Sequence, residues 1–116
     1  MKRFLAPILL VTLLFPSLAL AASRGLGMDD LVERDGLYYE KFTDVPFSGR
    51  IEGLQRGSFN DGKTDGPWVF YYDNGQLSLE GTYKDGKADG PWISFNKDGT
   101  VDEKNTGTFK DGRKVE

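Results

Sequence analysis

The chain has 116 residues, with 15 Lys and Arg against 18 Asp and Glu, no histidine and no cysteine. Without histidine, a His-dependent triad, a His metal site and a His acid–base pair are excluded. Without cysteine, so are thiol catalysis, structural zinc, disulfides and a lipoprotein anchor. The charges of both signs are interspersed, which keeps the chain soluble and argues against nucleic acid or an anionic membrane surface as a partner.

The first segment, "MKRFLAPILLVTLLFPSLALAAS", opens with Lys2 and Arg3, runs apolar from Phe4 to Leu20 and ends in small residues. Ala19-Leu20-Ala21 fits the A-x-A rule, so residues 1–21 read as a secretory signal peptide cleaved after Ala21. If uncleaved it would be a membrane anchor, but the run is short for a span and Pro7 and Pro16 interrupt it. Loss of Lys2 and Arg3 leaves 13 basic residues against 18 acids, a net charge of −5. The mature chain is then an exported, single-domain protein, periplasmic or secreted, folding without disulfides.

Residues 22–27, "ASRGLG", read as a loose leader. Residues 28–56 read as a degenerate N-terminal hairpin that caps the array. It has a turn at Asp35-Gly36, a strand Leu37–Phe42 and a second strand Phe47–Glu52, with Gly49 and Gly53 as strand or bulge glycines.

From residue 57 the chain repeats itself at a shift of 24. "GSFNDGKTDGPWVFYYDNG" (57–75) falls on "GTYKDGKADGPWISFNKDG" (81–99), and "GTFKDG" (107–112) opens a third copy after an insertion of two residues within Val101–Thr106. The copies span 57–80, 81–106 and, in part, 107–116. Turn signals carried by Gly62, Gly75, Gly86, Gly99 and Gly112 separate short stretches rich in aromatic and β-branched residues. This spacing predicts an all-β, elongated antiparallel meander of tandem β-hairpins.

Register within the repeat is set by the Asn74-Gly75 turn. A two-residue loop pairs Trp68, Phe70 and Tyr72 with Gly81, Leu79 and Leu77; a three-residue loop pairs Val69 and Tyr71 with Leu79 and Leu77. The next copy replaces Phe70 and Tyr72 by Ser94 and Asn96 but keeps Val69 and Tyr71 apolar as Ile93 and Phe95. The expectation is therefore the three-residue loop, with Val69, Tyr71, Ile93 and Phe95 on the buried face. Glycine recurs away from the turns at Gly66, Gly81, Gly90 and Gly107, and such a position invites a ring to lie across bare backbone. Trp68 and Trp92 are the expected occupants, each covering a glycine of the preceding strand.

These residues resemble the MORN repeat, in the bacterial variant of the YwqK-like antitoxin family. Gly81, Tyr83, Asp85-Gly86-Lys87, Gly90, Trp92, Phe95 and Gly99 carry the resemblance. The earlier copy carries it through Gly57, Phe59, Asp61-Gly62-Lys63, Gly66, Trp68, Tyr71 and Asn74-Gly75. It covers about Gly57 to Lys114 and, loosely, the front half. The resemblance implies an elongated, curved sheet of hairpins, a scaffolding, protein-binding or membrane-associating role, and no catalytic residues. The antitoxin label implies a partner toxin, whereas an exported chain departs from a cytoplasmic antitoxin.

Three functions follow from the residues. The first is a binding module in which Trp68, Phe70, Tyr72, Tyr83 and Trp92 offer a stacking surface to a peptide, an envelope glycan or a lipid. The competing reading makes them the core, since a one-layer sheet has few other ways to bury area. A variant resembles choline-binding cell-wall repeats, which hold a quaternary ammonium between aromatics. The second is an enzyme using Asp61, Asp65, Asp85 and Asp89 as paired carboxylates. Each of these sits in a turn phrase that already explains it, and the spacing lacks the other ligands of a calcium loop. The third is assembly through the edge of "TGTFKDGRKVE", with Lys104, Lys110 and Lys114 as edge protection. The favoured expectation is a non-catalytic interaction or scaffold protein of the bacterial envelope, without cofactor or metal and with a protein partner.

Overall fold

The structure, a computed structural model, describes residues 25–116. The expected signal peptide and its cleavage point at Ala21 lie outside those residues, as does the first half of the leader.

Turn chemistry builds the array. Asp35-Gly36, Asp61-Gly62, Asp85-Gly86 and Asp111-Gly112 all have positive φ at both residues, +49° to +52° at Asp and +82° to +84° at Gly. Two left-handed residues make the two-residue turn whose twist matches paired strands, and Asp and Gly are the residues that tolerate it. These turns join β1 (Leu31–Arg34) to β2 (Leu37–Glu40), β4 (Gln55–Asn60) to β5 (Lys63–Tyr71), β6 (Leu77–Lys84) to β7 (Lys87–Ala88), and β9 (Gly107–Lys110) to β10 (Arg113–Lys114). The other strands are β3 (Gly49–Ile51) and β8 (Gly90–Ser94). β1 and β2 form a separate two-stranded sheet. The rest form one sheet in the order β10-β9-β8-β6-β5-β4-β3, with β7 also on β6. The strand pairs are antiparallel, so the sheet is the expected meander.

The intervening turns are of the other kind. At Asp73-Asn74-Gly75 the Tyr72 N–H donates to Gln76 O at 2.8 Å and only Gly75 is left-handed, at φ +86°. Lys97-Asp98-Gly99 repeats this, with Asn96 N–H on Thr100 O at 2.7 Å and Gly99 at φ +92°. The three-residue loops are therefore present, and Tyr71 pairs with Leu77 as that loop demands.

The buried face is the opposite of the expected one. Ser78 is an extra residue in β6, so beyond the bulge Phe70 pairs with Leu79, Val69 with Glu80 and Trp68 with Gly81. A one-residue bulge exchanges the two faces of a strand. Trp68 and Trp92 are buried, at 2% and 4% exposure, while Val69, Tyr71, Ile93 and Phe95 are only half-buried. In the next copy Phe95 bridges Val101 and Trp92 pairs with Gly107. The slack between is taken up by a turn in which Asn105 N–H donates to Asp102 O at 3.2 Å. This places the two-residue insertion within the stretch the repeat alignment marked.

The front of the array departs from expectation in two places. The strand expected over Leu37–Phe42 ends at Glu40, where the Thr43 N–H and hydroxyl both donate to Glu40 O and Phe42 turns left-handed at φ +69°. The second expected strand is regular only over Gly49–Ile51. The leader is not loose where it is described. Leu26 forms a parallel bridge to Ile51, and its carbonyl accepts from Glu52 N–H at 2.7 Å. Ile51 is fully buried there, and with Leu31, Phe59, Trp68 and Trp92 it makes up the buried core. Among the described residues no helix is long and apolar enough to cross a membrane.

Candidate functional site: an aromatic row on one face

Each tryptophan is held by the strand before it. The Trp68 indole lies across Gly57 and the Trp92 indole across Gly81, in the space a β-carbon there would occupy. Trp68 Nε1–H donates to Ser58 O at 3.0 Å and Trp92 Nε1–H to Thr82 O at 3.1 Å, so the two copies agree atom for atom. Glycine is required here because any side chain would displace the ring. At the third such glycine, Gly107, the same space holds the Lys114 side chain and the Glu116 carbonyl.

Edge-to-face contacts connect the rings into a row. Phe59 meets Trp68 at 5.2 Å, Trp68 meets Tyr83 at 5.7 Å, and Tyr83 meets Trp92 at 4.8 Å between centroids. These are favoured aromatic geometries, with an electropositive edge on an electronegative face. Tyr38 and Phe47 close one end of the row on Phe59, at 5.1 and 5.6 Å. Burial pushes the Tyr83 phenol above its usual range, with Tyr38 adding to it; burial and then Glu33 do the same at Tyr38. Both phenols are neutral across the physiological range.

Of the expected surface residues, the structure brings Trp68, Phe70, Tyr83 and Trp92 together and sets Tyr72 apart. Phe70 stacks on Trp68 at 5.8 Å and reaches Trp92 at 6.5 Å, so it is a half-buried part of the row. Tyr72 ties neighbouring hairpins: its hydroxyl donates to Phe95 O at 2.7 Å, and Lys97 Nζ lies 5.7 Å from its ring centre. Phe59, Leu79, Ala88 and Phe109 also belong to the face, although none of them is among the expected surface residues. Phe59 and Phe109 occupy the repeat position of Tyr83, two residues after the covered glycine, a signal that could have found them.

A cavity of about 320 Å³ opens on this face at the copy that starts with Gly81, lined by Leu79, Tyr83, Ala88, Trp92 and Phe109. Its polar positions are Ser94 and Asn105. A larger cleft of about 430 Å³ lies where the β1–β2 hairpin meets the turns at Gly62 and Gly86, and charges of both signs line it, Glu33 and Asp85 with Lys63 and Lys87. On the other face the Arg56 guanidinium sits 4.6 Å over the Tyr71 ring. Asp61 and Asp85 hold the left-handed turn positions, and Asp65 and Asp89 follow four residues later in each copy. Among the described residues no three Asp or Glu side chains group closely enough to hold a metal ion. No family model, curated protein or solved structure matches this chain.

Proposed function

We propose that this chain is an exported, non-catalytic MORN-like repeat protein that acts as a protein-interaction or scaffold module in a bacterial envelope. The observation that carries the reading is the cavity beside Trp92, where the aromatic row ends in half-buried Tyr83 and Phe109 and a partner can bury apolar area and displace water. Asp61 and Asp85 recur at left-handed turn positions and Asp65 and Asp89 recur four residues on, a repetition that suits folding better than a unique reaction centre. Export rests on the "MKRF…ALA" leader, and the repeat phrase supplies the family reading.

The test is affinity capture of the tagged mature chain from its own cell envelope, read by mass spectrometry. A stoichiometric protein partner is the expected result. Its binding is then compared after deletion of residues 107–116, which removes the edge together with Phe109, and after Phe70→Ala, which trims the row and leaves the edge in place. Recovery of wall glycan or lipid alone would overturn the proposal in favour of a surface-ligand role.

A further inference from the structure

The cavity beside Trp92 exists because one copy of the repeat lacks two side chains that the other copy has. In the copy beginning at Gly57, the space around Phe59, Trp68 and Tyr83 is filled by Phe70, which stacks on Trp68 at 5.8 Å, and by Leu79, its cross-strand partner. The same two positions one copy later are Ser94 and Asn105, and there the cavity opens between Tyr83, Trp92 and Phe109. The rest of the construction is retained: glycine, covering tryptophan, indole hydrogen bond and flanking aromatic. The vacancy therefore has room for an aromatic ring, where Ser94 stands in place of Phe70. At about 320 Å³ it is near the small end of ligand sites, which run from about 300 to 1,000 Å³.

The chain also carries the complement. Phe42 is wholly exposed, at 102%, and is held in a left-handed backbone conformation at φ +69° that phenylalanine rarely adopts. Val45, three residues on, is 72% exposed. Both lie between β2 and β3, and a side chain as exposed as Phe42 fills no cavity of its own chain.

We propose that Phe42 of one copy inserts into the Tyr83–Trp92–Phe109 cavity of a second copy, joining molecules head to tail. The inference rests on the interaction-module reading and names its first partner as the chain itself. Donor and acceptor are different surfaces, so the contact is heterologous and one junction leaves a free Phe42 and a free cavity for the next. A single anchor with a valine beside it buries far less than the roughly 1,200 Å² of a stable interface. The association is consequently weak and grows with concentration.

The experiment is sedimentation equilibrium of the purified protein over a wide concentration range. The wild type is expected to rise past the mass of a dimer. Phe42→Ser, which removes the donor, stays monomeric, and so does Ser94→Phe, which refills the cavity as the other copy does. Asn105→Leu, which refills it from the neighbouring strand, acts like Ser94→Phe should that variant fold poorly. An equimolar mixture of the Phe42→Ser and Ser94→Phe chains has one donor and one cavity left. It forms a dimer and stops there. A wild type that is monomeric throughout, or a mixture that does not pair, overturns the proposal. If the monomeric wild type binds N-acetylphenylalaninamide with a change in tryptophan emission, the cavity takes an aromatic residue from a different protein. The self-contact is then wrong while the interaction-module reading stands.

Discussion

The Trp92 indole occupies the space above Gly81 that a β-carbon would fill, and its Nε1–H reaches the carbonyl of Thr82, the next residue, at 3.1 Å. The glycine, the ring and the hydrogen bond make one unit, repeated by Trp68 on Gly57 and Ser58. Gly81→Ala is expected to destabilise the protein by about 1–3 kcal/mol, the usual range for overpacking. Thr82→Ala, at an exposed neighbour whose carbonyl is kept, stays within about 0.5 kcal/mol. Urea midpoints at constant slope measure both.

Trp92→Phe separates the ring from its hydrogen bond. A phenyl group keeps much of the contact with Gly81 and Tyr83 and removes the indole donor, while the Thr82 carbonyl keeps the Asp89 N–H at 2.9 Å, an expected loss of about 0.5–1.5 kcal/mol. Trp92→Ala removes the ring as well and is expected to cost about 3–5 kcal/mol. If the two variants unfold at the same urea concentration, the hydrogen bond carries what the packing was assigned.

The Asp-Gly turns depend on left-handed backbone, with Asp85 at φ +50°. Asp85→Asn keeps a residue that tolerates this and should shift stability by no more than about 0.5 kcal/mol. Asp85→Val places a β-branched side chain there and is expected to lose about 1–2 kcal/mol. Thermal midpoints of the pair, set against the wild type, decide it.

Tyr72 joins successive hairpins through its hydroxyl on Phe95 O at 2.7 Å. Tyr72→Phe removes that bond alone and is expected to cost about 0.5–1.5 kcal/mol. Amide exchange supplies the local readout: protection near Phe95 should fall more than protection in β4.

The Thr100 hydroxyl and backbone N–H both donate to the Asp98 carboxylate, at 2.6 and 2.9 Å, and hold its pKa below the usual carboxylate range. The folded value lies below the unfolded one, so the carboxylate's stabilisation is present above the unfolded value. It is lost as pH falls through the folded value. Thr100→Val removes the hydroxyl donor, and the Asp98 titration followed by carboxyl NMR should move up towards the ordinary value. An unchanged midpoint would show that the hydroxyl is not the cause.

How much of this was legible depends on how local each cause is. The 24-residue period, the five turn glycines and the three-residue loop at Gly75 all follow from residues within a few positions of one another. That each tryptophan covers a glycine of the strand before it could be anticipated because the pattern occurs twice. The row itself was only half visible. Phe59 and Phe109 share the repeat position of Tyr83, but their joint face depends on pairing across strands. Phe70 read as surface because its equivalent is Ser94, whereas that difference marks a filled site beside an open one.

The amino-acid sequence by itself determined a meander of hairpins: Asp-Gly and Asn-Gly can turn the chain with little strain, and aromatic and β-branched runs between them favour extended backbone. Which face of that meander is buried was decided only in the tertiary structure. One added residue, Ser78, exchanges the face of β6 that lies beside Trp68 and Phe70 without altering the turns at either end. Nothing local distinguishes the two registers. The choice lies in the indole area and hydrogen bonds gained when Trp68 and Trp92 close over glycines of the strands before them.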